Sequence, residues 1–218
     1  MNTLITLTGP TCSGKSHLQD MLTGAGHNMG TVITATTRAP RKGELDGVDY
    51  HFWDQPTFDS MRDQGKLIEW AEFSGAFYAT PVASLQHAFE RGNGLAVQVI
   101  EPQGLKLLHA AFAQRDDLQG CRLLPVFMDC GLDIVARRFM QRYRADLGDA
   151  LARRPGDIEA ITGYYERRLV SILTVEVDWR REALADQSRD RQIYAMIVDE
   201  FGSETQGQVI ARILHSAF

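Results

Sequence analysis

Two glycines five positions apart, followed at once by an amine and a hydroxyl, make up Gly9-Pro10-Thr11-Cys12-Ser13-Gly14-Lys15-Ser16. The spacing fits the phosphate-loop pattern G-x-x-x-x-G-K-[ST]. Glycine lets the backbone turn its N–H groups inward around a polyphosphate. A helix beginning near Gly14 adds the positive end of its dipole. Lys15 then reaches the β- and γ-phosphates of a nucleoside triphosphate such as ATP, and Ser16 holds Mg2+. Cys12 reads as a small filler without chemistry of its own. A second concentration of chemistry lies between residues 137 and 168, which hold eight arginines, five acids and no lysine. Most of these arginines suit a solvated helical face with i,i+4 pairs. Two or three suit a mobile cationic flap, because a guanidinium grips phosphate bidentately.

These groups need elements to position them. Leu4 to Thr8 reads as a strand leading into the loop, and Leu18, Met21 and Leu22 continue after it at helical spacing. The pattern predicts strands near 3–8, 30–35, 95–100, 122–128 and 193–198. The runs at 95–100 and 123–128 are nearly apolar throughout, as strands buried on both faces are. Helices are predicted near 14–24, 81–91, 102–114, 132–146, 157–184 and 204–217. Pro102 suits a first helical turn. Ser203 with Gln206 forms a capping box, ahead of an apolar face of Val209, Ile210, Ile213 and Leu214. Strands alternating with helices imply a parallel sheet covered on both sides.

Composition narrows the classes. The chain has 218 residues, 44% hydrophobic, with a net charge of −5. That suits one globular unit and lacks the basic field of a nucleic-acid binder. Cys12, Cys121 and Cys130 show neither metal spacing nor a disulfide framework, which fits a reducing compartment. No charged start with a long apolar run opens the chain, and no apolar run approaches the length of about 18 residues that a membrane span needs. The reading is a cytoplasmic protein, monomeric or homodimeric.

Residues 36 to 80 break the alternation and look like an inserted lobe. They contain "TATTRAPRKGELDGVDYHFW" from Thr34 to Trp53 and "LIEWAEFSGAFYATP" from Leu67 to Pro81. With the phosphate loop, these stretches resemble the guanylate kinase family over residues 3 to 104. The family carries a T-T-R-x-P-R-x-G-E-x-D-G-x-D-Y-x-F run, then an L-E-x-A-E block and a Y-Y-G-T block. Here Ala39 stands where the family usually has Pro, and Ala79 where it usually has Gly. The resemblance implies an α/β, P-loop NTPase three-layer fold with a five-stranded parallel sheet. It implies a core of 1–33, 82–136 and 169–218, a monophosphate-binding lobe at 34–81 and an arginine-rich lid at 137–168.

By the same resemblance, Arg38, Arg41, Tyr50 and Tyr78 hold a monophosphate, and the chemistry agrees. Two guanidiniums and two phenols make a fork of donors for a dianion. Thr34, Glu69, Thr80 and Glu101 match guanine-reading positions. Guanine offers N1–H and N2–H side by side to a fixed carboxylate, and adenine has no N1–H. Glu69 is thus the expected base reader. Lys15 with Arg138, Arg142 and Arg168 supplies catalytic charge, with Arg153 and Arg154 as alternatives for the later lid position. Two further departures are Val99 and Glu101 where the family has a pair of acids, and Asp199 where it has Asn near the donor adenine. The implied activity is ATP-dependent phosphorylation of GMP or dGMP. A broader or modified-base deoxynucleotide kinase and a non-catalytic binding module are the alternatives.

Overall fold

The computed structural model describes residues 1–24, 27–41, 43–73, 75–186, 194–199 and 206–217. In chain order the elements are β1 (Thr3–Thr8), α1 (Lys15–Thr23), β2 (Gly30–Thr31), β3 (Ala35–Thr36), β4 (His51–Phe52), α2 (Gln55–Asp63), β5 (Leu67–Phe73) and β6 (Ala76–Pro81). There follow α3 (Val82–Arg91), β7 (Leu95–Val99), α4 (Pro102–Gln114), β8 (Arg122–Asp129), α5 (Leu132–Arg153), α6 (Ile158–Ser171), α7 (Val177–Asp186), β9 (Met196–Asp199) and α8 (Gln206–Ala217).

Five strands form one parallel sheet in the order β2-β7-β1-β8-β9. All six residues of β1 are buried, because helices cover both faces. Ile5 and Leu7 join Leu18 and Leu22 of α1 and Val209 and Ile213 of α8 in one core cluster. Leu4 points the other way, into a cluster with Leu85 and Phe89 of α3 and Leu105 and Leu108 of α4. This three-layer arrangement is the expected P-loop fold. Among the described residues no helix is long and apolar enough to cross a membrane.

A second sheet, β4-β3-β6-β5, faces the phosphate loop. Its own core centres on Phe58 of α2, buried with Leu67 and Ala79 and stacked on Phe77 at 5.0 Å. The α2 N-terminus is capped by Asp54, which accepts from the Thr57 amide at 2.9 Å. A register irregularity between Leu67 and Glu69 matters for the site. Leu67 and Trp70 both lie on Phe58's side of the sheet although three residues apart, which a regular strand forbids. The bulge therefore turns Glu69 to the opposite face, toward the loop.

Three expectations about elements change. The strand expected at 30–35 is two: β2 stays with β7, and β3 belongs to the second sheet, so the chain crosses between sheets at residues 32–34. The helix expected at 132–146 runs on to Arg153, supported by the Arg153–Asp149 pair and buried Ala150. The helix expected at 157–184 is interrupted by one π turn at Ile172–Glu176. Ser203 of the expected capping box lies outside the described residues.

The core argument is open to direct measurement. Leu105 is fully buried, and Leu105→Ala should cost about 2–5 kcal/mol in urea unfolding. Leu151→Ala, at an exposed position of α5, should stay within about 0.5 kcal/mol of the parent.

Candidate active site

One cavity of about 320 Å³ opens between the two sheets, with α5, α6 and α7 along its side. Gly9, Thr11, Cys12, Lys15 and Ser16 line it from the phosphate loop. Gly14, at φ 95°, makes the left-handed turn that starts α1, and Cys12 at φ 61° shares that conformation. The Lys15 ammonium donates to the carbonyl oxygens of Gly9 at 2.8 Å and Pro10 at 2.6 Å. Burial lowers its pKa to about 8, against the opposing pull of the Glu176 and Glu101 carboxylates. A phosphate chain beside it would restore the charge. Pro10, Ser13 and Gly14 shape the loop without lining the cavity.

The second sheet supplies Arg38, Arg41, Tyr50 and Tyr78, all on the cavity wall. Glu44 organises the arginines. It takes Arg38 bidentately at 2.9 and 3.1 Å and accepts from the Arg41 amide at 2.7 Å. The Arg38 guanidinium also lies 5.4 Å from the Tyr50 ring centre and 5.6 Å from that of Phe52. A guanidinium locked this way is pre-oriented for an anion.

Thr34, Glu69 and Glu101 also line the cavity, whereas Thr80 is fully buried just behind. The Thr80 hydroxyl donates to Glu69 Oε1 at 2.7 Å, and the Gln98 amide donates to that hydroxyl at 2.6 Å. Desolvation raises the Glu69 and Glu101 carboxyls to about 7 each. Val99 packs against the apolar core at the cavity edge, where an acid was the expected type. Asp199 is the last residue of β9, paired in register with Asp129.

The helical segment closes over the loop. Arg142 and Arg168 line the cavity; Arg138 lies behind and donates to the Cys12 carbonyl at 3.1 Å. Arg153 and Arg154 are engaged with Asp149 and Asp157 and do not line the cavity. Three groups were not singled out from the sequence. Glu176, only 1% exposed, accepts from the Thr11 amide at 2.5 Å and from its hydroxyl at 2.9 Å, and takes Arg168 at 2.8 Å. Arg168 also donates to the Thr11 hydroxyl. The π turn brings Glu176 to the loop, and spacing alone carries no sign of it. Glu44 stood inside the resembling run without a role. Gln98 had a signal, a lone amide in a strand buried on both faces.

This is the arrangement of a P-loop nucleotide-binding protein with a second lobe set opposite the loop. Comparison with known proteins narrows it further. A guanylate kinase family model matches residues 1–115. A guanylate kinase of Gluconobacter oxydans is 35% identical over 150 residues, covering 69% of this chain and 68% of the relative. That of Parasynechococcus marenigrum is 36% identical over 114 residues, 52% of this chain and 62% of the relative. The chain spans 55% of the Desulfitobacterium hafniense relative. In fold, it resembles the crystal structure of guanylate kinase from Anaplasma phagocytophilum, with TM-score 0.58 and 21% identity over 99% of this chain and 84% of that one. The chain belongs to the guanylate kinase family.

Two measurements probe this geometry. Glu69 has a folded pKa above its unfolded value, so its ionisation opposes folding. The stability it withholds is absent below about pH 4.5 and grows up to about pH 7. Glu69→Gln should therefore gain stability over the parent from pH 5 to pH 8, by up to about 3 kcal/mol. Glu176→Ala strands Arg168 and the Thr11 amide. It should cost about 3 kcal/mol and speed amide exchange at Thr11.

Proposed function

We propose that the chain transfers the γ-phosphoryl group of ATP to a guanine nucleoside monophosphate, GMP or dGMP. The observation that carries this is the convergence on one cavity of the phosphate loop, the Arg38–Arg41–Tyr50–Tyr78 fork and the Glu69 carboxylate held by Thr80. The loop and Lys15 hold the donor's phosphates. The fork holds the acceptor's phosphate, and Glu69 accepts N1–H and N2–H of guanine. The acceptor is already an anion, so no protein nucleophile or strong base is required. Arg142 and Arg168 stand over the loop, where charge develops as the phosphoryl group moves in line.

The residues present fit a magnesium ion. Ser16 and Glu101 both line the cavity with Lys15 and offer the hard oxygen donors such an ion takes. Ser16 would hold the ion, which would supply charge neutralisation to the phosphates.

ADP release with ATP and Mg2+ should appear with GMP or dGMP and be at least about a hundredfold lower with AMP, CMP, UMP and dTMP. Lys15→Ala should lower turnover by orders of magnitude. Equal turnover across the panel would overturn the base assignment, and undiminished turnover in Lys15→Ala the phosphate-loop mechanism.

A further inference from the structure

Gln98 sits in β7 between β2 and β1, a strand whose neighbours Ala96 and Val97 are fully buried. Its own side chain is 1% exposed, and it lines the same cavity as Glu69. A primary amide there is costly unless its polar atoms are matched. One end is matched: Nε2 donates to Thr80 Oγ1 at 2.6 Å. Thr80 has a single hydroxyl proton, and it goes to Glu69 Oε1 at 2.7 Å. The relay therefore has one direction, amide to hydroxyl to carboxylate. It fixes which end of the amide faces Thr80 and leaves Oε1 as the other end. Among the described residues Gln98 Oε1 is buried with no hydrogen-bond partner.

Two consequences follow for a base in this pocket. Thr80 has no proton left to give, so it acts on the base only by orienting Glu69. The cavity wall also includes Gln98, whose Oε1 has no partner among the described residues, in addition to the Glu69 and Glu101 carboxylates. Guanine's edge carries three N–H bonds, one on N1 and two on the 2-amino group. A carboxylate lying along that edge takes N1–H and one amino hydrogen, and the second amino hydrogen remains. We propose that Gln98 is a specificity-determining residue that accepts this remaining hydrogen, so that the pocket reads the exocyclic 2-amino group and not only N1–H. This rests on the guanine-nucleotide reading of the site above. Hypoxanthine keeps N1–H but has no 2-amino group, so its binding leaves Oε1 unmatched. A buried acceptor left without a donor discriminates strongly.

The test compares GMP with IMP, by calorimetric binding and by kcat/KM, in the parent, Gln98→Leu and Gln98→Met. Thermal unfolding monitors the fold of each variant. The parent should prefer GMP. Both substitutions should shrink the GMP/IMP ratio at least about tenfold, through weaker GMP and nearly unchanged IMP. If GMP and IMP weaken equally, Gln98 only props Thr80 and Glu69, and the inference fails while the guanine reading stands. If the parent does not bind GMP at all, the guanine reading fails first and takes the inference with it. Should neither variant fold, the parent decides alone: equal affinity for GMP and IMP overturns the proposal.

Discussion

The geometry of the cavity depends on one buried carboxylate. Glu176 reaches from the helical segment into the phosphate loop, where it meets the Thr11 amide, the Thr11 hydroxyl and the Arg168 guanidinium together. Without that partner set a carboxylate so deeply buried would be prohibitive. With it, α6 and α7 are held against the loop, and Arg168 stands where phosphates would lie. Asp129, at the end of β8, adds a second tie by taking Arg180 of α7 at 2.5 and 2.9 Å. The Arg41 guanidinium over the Tyr164 ring, at 5.1 Å, joins the same segment to the second sheet. The three parts thus meet through charged and aromatic contacts around the cavity, beside an apolar cluster in which Ile68 of β5 and Ala183 of α7 pack with Leu4, Leu105 and Leu108.

Another part of the cavity wall obeys a different constraint. Among the described residues no cation pairs with the buried Glu69, and desolvation leaves it poised near neutrality. A better folded state was available to this position, since a neutral side chain would fit the same hydrogen bonds. An acceptor kept at such a cost reflects a stability–activity compromise of the kind sites often carry.

Much of the fold was legible in the sequence because it rests on local rules. The phosphate loop announced itself by glycine spacing, β7 and β8 by nearly apolar runs, and α4 by Pro102. The lobe's residues were legible through their resemblance to a family whose model matches residues 1–115. What escaped was set by tertiary geometry. The bulge that turns Glu69 toward the loop depends on how Leu67 and Trp70 share Phe58. The π turn depends on where Glu176 must arrive. The length of α5 was missed because its last turns are held by ion pairs more than by apolar periodicity. The pairing of Arg153 and Arg154 with Asp149 and Asp157 is likewise a matter of which acid lies within reach.

The state of Glu69 has a thermodynamic corollary. Near neutral pH the empty pocket exists as two populations, one with a proton on this carboxylate and one without. A base edge made of donors fits only the second. On the proposed reading, capture of the nucleotide is therefore also expulsion of a hydrogen ion into solution. The heat of binding then contains the ionisation heat of whichever buffer receives that ion, so the enthalpy differs between phosphate and Tris while the contacts stay the same.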